Sequence, residues 1–327
     1  MNGSSHATRR RLALLALVVL VFTLSGCVHE TEPPLRIATN VWIGSEPLYL
    51  ARDLGYLDRE AVQLVEYPSA SEVSRAFRNQ AIDGMIISLD ELFVLAVDGL
   101  QPKIVVVADV SHGADVVVGR SGMRTMKDLR GKRVAVESAA LGAFVLSRAL
   151  ALNGMRASEV SIVPLESNEH PAAFERGQVD GAVTFDPYRT QLLGAGAHTL
   201  FDSSQIPGEI VDLLVVRASV LEKNPRAVQT LLKGWFEALD YVEREPKDAA
   251  ARMAVREQIT GEQFLQALQG LRIPSRTDNL KMLAGATPSL VVSGRQLMTL
   301  MVEAKLLRSR LDIEALLAPG PLQKLPP

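Results

Sequence analysis

The stretch Arg36-Ile37-Ala38-Thr39-Asn40-Val41-Trp42-Ile43-Gly44-Ser45-Glu46-Pro47-Leu48-Tyr49 decides how the chain is read. Ile37, Ala38 and Thr39 have the composition of a buried strand. Asn40 to Gly44 form a loop around the only nearby aromatic, and Ser45, Glu46 and Pro47 open a helix. A serine side chain suits an N-cap, and proline lacks the N–H that the first helical turn leaves unpaired. A strand that passes through a short loop into a helix aims backbone N–H groups beyond the strand's carboxyl end, where α/β proteins hold small ligands. This loop is therefore expected to be half of a binding site.

Outward from that stretch, strand and helix signals alternate. Val62 to Tyr67 and Gly84 to Ser88 read as strands, Ser71 to Asn79 and Asp90 to Val97 as helices, and Lys103 to Val110 as a β-branched strand. The alternation implies an α/β fold with mostly parallel sheets covered on both faces. The same order then begins again with a strand at Arg133 to Glu137, a helix at Ala140 to Leu152, a strand at Val160 to Leu165, a helix at Glu169 to Arg176 and a strand at Gly181 to Phe185. Ala76-Phe77 and Asp83-Gly84 return as Ala173-Phe174 and Asp180-Gly181, each 97 residues on, and Ile37-Ala38 meets Val134-Ala135 at the same offset. Two similar lobes follow. Their equivalent loops are expected to face one another: Trp42 to Ser45 with Ser138 to Gly142, Ser69 to Ser71 with Glu166 to Glu169, and Ser88 to Glu91 with Phe185 to Arg189.

Beyond Pro225 the chain reads as helical, with Leu221 to Val242, Lys247 to Gln258, Gly261 to Leu271 and Gly294 to Leu307 separated by Pro246, Gly261, Pro274 and Pro288. A helical tail that packs back on the first lobe requires two crossings, near Asp115 to Arg120 and Ile210 to Arg217, and two crossings make a hinge. The expected division is residues 35–115 and 217–327 for lobe one and its tail, and 116–216 for lobe two.

The N-terminus has a different character. Arg9, Arg10 and Arg11 precede an uninterrupted apolar run from Leu12 to Leu24, the pattern of an export signal over residues 1–26, of general or twin-arginine type. Leu24-Ser25-Gly26-Cys27 resembles a bacterial lipobox, so Cys27 is the expected lipidation site and residues 27–34 a tether. Exported, membrane-anchored placement in the periplasm or at the cell surface follows. Cys27 is the only cysteine, which leaves no disulfide framework and no thiolate metal cluster. Removing the three arginines takes the formal charge from −2 to −5, and mild acidity argues against nucleic acid as a partner.

The residues also resemble a known family. The lipobox, Leu35 to Asn40, Trp42-Ile43-Gly44, Pro47 to Ala51, Gly55-Tyr56-Leu57, Leu129 to Val136 and Phe185-Asp186-Pro187 are similar to the substrate-binding proteins of ABC importers of the nitrate, taurine and sulfonate class, related to the thiamine-pyrimidine synthase-like proteins. The resemblance implies a type II periplasmic-binding-protein-like fold, two α/β lobes joined by a two-segment hinge. It also implies a monomer that closes on a small molecule and delivers it to an ABC permease and its ATPase.

Ligand-binding candidates come from the facing loops: Trp42, Ile43 and Gly44; Ser69; Ser88, Asp90 and Glu91; Ser138, Ala139 and Gly142; Asp186 and Tyr188; and His112 near the first crossing. Trp42 suits stacking on a planar or cationic ligand and equally suits a core. Asp90 and Glu91 can accept from an amine or favour a helix start. Ser138 can face a ligand or cap a helix, and His112 can bind a ligand or the hinge backbone. Acids at the expected rim, Glu46, Asp90, Glu91, Asp115, Glu137 and Asp186, outnumber bases, which leans toward a neutral or cationic nitrogenous ligand. With the one cysteine in the lipobox and no His-x-x-x-His pair, no catalytic, metal or cofactor site is expected. A receptor-coupled sensor would need the same closure as an importer component, and a synthase-like enzyme would need a nucleophile or an acid–base pair.

Overall fold

Leu35–Asn40 (β1) carries a buried pattern broken only at Arg36 and Asn40, and it runs parallel to both Val62–Tyr67 (β2) and Gly84–Ser88 (β3). The computed structural model describes residues 33–137 and 139–326, so the lipidation expected at Cys27 and the contact expected at Ser138 lie outside the described residues. The strands continue as Pro102–Ser111 (β4), Val116–Gly119 (β5), Arg133–Val136 (β6), Ser161–Pro164 (β7), Gly181–Thr184 (β8), His198–Asp202 (β9), Val211–Arg217 (β10) and Leu271–Arg272 (β11). They form two sheets, in the orders β11-β4-β10-β3-β1-β2 and β7-β6-β8-β5-β9. Each sheet is mixed: β10 runs antiparallel to β3 and β4, and β5 antiparallel to β8 and β9.

The repeat extends to side-chain bracing. Arg36 bonds Asp83 through its backbone N–H (2.9 Å) and guanidinium (3.1 and 3.2 Å), and 97 residues on Arg133 holds Asp180 the same way (3.0, 3.1 and 3.0 Å). Both pairs are partly exposed, so they fix the register of the strand start more than they add stability.

The return strand corrects the expected boundary. β10 pairs with β3 and β4, so the chain is back in the first lobe before Val211, and not at residue 217. β10 has a counterpart in the first half: Ala114-Asp115-Val116-Val117-Val118-Gly119-Arg120 and Val211-Asp212-Leu213-Leu214-Val215-Val216-Arg217 stand 97 residues apart. Each half thus lends its last strand to the other half's sheet. Arg120, from the first half, stacks on Phe174 of the second (4.4 Å), while Arg217, from the second, stacks on Phe77 of the first (4.0 Å).

The helical tail packs on the first lobe. Fully buried Asn279, in the helix Arg276–Leu283, accepts from Val107 N–H (2.6 Å) and donates to Val107 O (3.1 Å), which ties the tail to β4. The helix expected over 221–242 is two, Ala218–Lys223 and Pro225–Arg244, because Asn224 leaves the helical conformation and caps Ala227 N–H (3.2 Å).

The two crossings, residues 112–115 and 203–210, are tied to each other. Ser111 and Ser203 hydroxyls lie 2.7 Å apart, Gly113 N–H donates to Ser203 Oγ (2.6 Å) and Ser203 N–H to Asp115 O (2.9 Å). Gly113 has φ of 110°, a backbone state that strains other residues.

Candidate functional site

The carboxyl ends of the central strands of both sheets meet around a cavity of about 620 Å³, solvent at its mouth included. All three pairs of facing loops contribute. Trp42 looks across to Ala139, Leu141 and Gly142; Ala70 to Ser167; and Ser88 and Glu91 to Thr184 and Phe185. Ile86, Ile87, Val145 and Val183 make the walls apolar, and Asn40, Asp115, Glu137 and Asp212 complete the lining.

Trp42 is 6% exposed. Its indole Nε1–H donates to Asp109 Oδ2 (3.3 Å) and its ring meets Phe185 edge-on, centroids 5.2 Å apart, which joins the lobes across the cavity. Gly44 lies beneath this contact. A Cβ there would stand 2.0 Å from Asp109 Oδ2 and 2.5 Å from Trp42 Nε1, so the position has no space for a side chain.

Asp109 on β4 sits directly opposite Asp212 on β10, which on its other side sits opposite Ser88 on β3. Partners across antiparallel strands share a face, so these three form a polar row across the sheet. Burial pushes Asp109 up to about 7 and Asp212 well above the carboxylate range; the neighbouring charges of Asp109 and Asp115 raise Asp212 further, since adjacent buried carboxyls resist ionising together. Burial likewise raises Asp90 and Asp115 to about 6 and lifts Glu91 strongly, the last also through Asp90 and Glu137.

Glu137, from lobe two, reaches the start of the lobe-one helix Ala70–Arg78. It accepts from Ser71 N–H (3.0 Å) and Ser71 Oγ (3.3 Å) and from Ser167 Oγ in its own lobe. Its carboxylate fills the anion position that a helix start offers. A second acid pair lies beyond the cavity: Glu46, raised to about 7 by burial, meets Arg256 (3.1 Å), whose guanidinium also stacks on Tyr49 (3.4 Å). Glu257 is raised to about 9 by burial and by the neighbouring Glu46.

Of the sequence-predicted residues, Trp42, Ser88, Glu91, Ala139 and Gly142 line the cavity. Ile43, Gly44, Ser69, Asp90, Asp186 and Tyr188 stand behind the lining. Ile43 is fully buried, Ser69 caps its helix by accepting from Glu72 N–H (3.3 Å), Asp186 accepts from Thr190 N–H (3.1 Å) and Oγ1 (2.6 Å), and Tyr188 packs on Phe185 (5.8 Å). His112 is exposed and only its backbone is engaged, donating to Gly270 O (2.8 Å). Sequence reasoning missed Asp109, Asp212 and Thr184, and it placed Asn40 and Phe185 within the expected loops without singling them out. Asp212 carried a signal, since it lies one repeat offset from Asp115. Asp109 carried another, as an acid inside a β-branched run.

Two α/β lobes with exchanged strands around an interlobe cavity define a periplasmic-binding-protein-like fold. Within that class the chain belongs to the NMT1-like family, whose model matches residues 29–257. It is similar to the taurine-binding periplasmic protein of Escherichia coli, 26% identical over 235 residues that cover 71% of this chain and 72% of that one. In fold it is similar to the alkanesulfonate-binding protein SsuA from Xanthomonas axonopodis pv. citri bound to MOPS, with a TM-score of 0.74, 18% identity, and 87% and 98% of the two chains covered. The periplasmic aliphatic sulphonate binding protein SsuA from Escherichia coli gives a TM-score of 0.69 at 22% identity, with 86% and 96% covered.

Proposed function

We propose that the protein is an extracytoplasmic solute-binding lipoprotein, anchored through Cys27 and monomeric, that closes on a small nitrogenous or polar organic molecule and presents it to an ABC permease. The observation that carries this reading is the cavity itself: both lobes supply its walls, and hinge-linked crossings join them. Membership of a family whose relatives are named as periplasmic binding proteins supports it. The site binds without turning its ligand over, and it takes no nucleic acid.

Residues 34–327, a compact unit by themselves, are the material for the test. In a thermal-shift screen of nitrogenous bases, amino acids, polyamines and sulfonates, a true ligand at about 100 times its Kd adds about 2.7 kcal/mol to stability and raises Tm accordingly. Trp42→Ala should weaken such a hit by about tenfold or more, because it removes both the wall and the link to Phe185. A screen with no hit, or chemical conversion of a bound compound, counts against the proposal.

A further inference from the structure

The ionisable side chains that line the cavity are Glu91, Asp115, Glu137 and Asp212; among the described residues no lysine, arginine or histidine joins them. Asp90 and Asp109 press on the same group from behind, and Arg189, which reaches the first crossing, is committed to Gly113 O (2.9 Å). A buried carboxyl without a partner is costly, so a cluster of them persists where something else supplies the donors. Asp115 Oδ2, Glu91 Oε1, Ser88 Oγ and Thr184 Oγ1 are buried without a hydrogen-bond partner, and all four residues are at most 4% exposed.

Resting on the reading of this cavity as a solute site, we infer that the solute is an organic cation, with an amine, amidine or guanidine nitrogen held by Asp115, Asp212 and Glu91 and an apolar body against Ile86, Ile87 and the Trp42–Phe185 pair. Asp115 and Asp212 are the repeat-related acids that the exchanged strands bring together from opposite halves, so the charged centre lies where the lobes join. Two of the helix starts at the cavity already carry acids: Glu137 fills that of Ala70–Arg78, and Asp90 and Glu91 stand in the first turn of Leu89–Val97, which leaves an anion only the start of Ala140–Leu152. The carboxyls are not grouped as metal ligands among the described residues, which favours a cation that brings its own N–H donors.

The test uses residues 34–327 and probes matched in shape but not in charge: benzamidine as cation, benzamide as neutral analogue and benzenesulfonate as anion, with agmatine, phenethylamine, taurine and calcium chloride alongside. By calorimetry at neutral pH at least one of the three organic cations should bind. Where benzamidine binds, it should exceed benzamide by about tenfold or more, with benzenesulfonate silent. Asp212→Asn and Asp115→Asn, each the same size as the wild-type residue, should lower cation affinity by about tenfold or more while circular dichroism stays native. Silence from all three organic cations overturns the inference, as does a response to calcium in their place, or unchanged affinity in both folded variants. If taurine or benzenesulfonate binds instead, the inference fails and the solute-binding reading stands; if no compound binds in the wider screen, that reading fails as well.

Discussion

Asp109 explains its two neighbours in the sequence-predicted loop. It takes the Trp42 indole N–H and occupies the space that a side chain at residue 44 would need. Gly44→Ala would force a fully buried carboxyl or the indole to move, with no flexible arm on the protein surface to absorb the shift. It should lower stability by about 1–3 kcal/mol, read from urea denaturation, and should weaken ligand binding in parallel because Trp42 moves off Phe185. The sequence marked Trp42 and Gly44 as binding candidates, since they stand in a strand-to-helix loop. What approaches them was not legible, because Asp109 lies 67 residues away and meets them only after β4 is placed in the sheet.

At the scale of elements, the three facing loops and the first three strands of each half could be read directly, because local composition and a constant offset both marked them. The destination of the return strand could not. Val211–Arg217 is equally suited by composition to either sheet, and only its partners β3 and β4 assign it to the first. The crossings on either side of that exchange depend on one hydroxyl. Ser203 Oγ meets Ser111 Oγ and accepts from Gly113 N–H, so Ser203→Ala should cost about 1–3 kcal/mol in a denaturant titration. The same variant should shift the ligand-free protein toward the open form, measured as a longer distance between fluorophores placed one on each lobe. Unchanged stability together with an unchanged distance would show that the hydroxyl does not hold the hinge.

For the whole molecule, the buried acids set the response to pH. Asp90, Asp109, Asp115, Glu46 and Glu257 all have folded-state values raised by burial, to about 6, 7, 6, 7 and 9. Between the ordinary carboxylate value and these raised ones the folded chain holds protons that the unfolded chain has released. Ligand-free stability should therefore fall as pH rises from about 6.5 to 8, the reverse of a protein held by surface carboxylates. His170, pushed down to about 4 by burial, acts the other way, but its loss of stability begins below its ordinary value of 6.5 and leaves this window clear. The check is Tm across that range, and a flat or rising profile would contradict the burial of these acids. A bound organic cation should flatten the decline, since it stabilises the ionised carboxyls.

The exchanged strands also impose an order of birth on the chain. All five strands of the second sheet come from residues 116–202, so that sheet can be completed as soon as this segment is made. The first sheet, begun earlier, waits with a gap between β3 and β4 until residue 217 delivers β10. The lobe that starts first is therefore finished last. Until then it carries two open strand edges that only a late, distant segment can cover, the situation in which a nascent chain gains most from a chaperone.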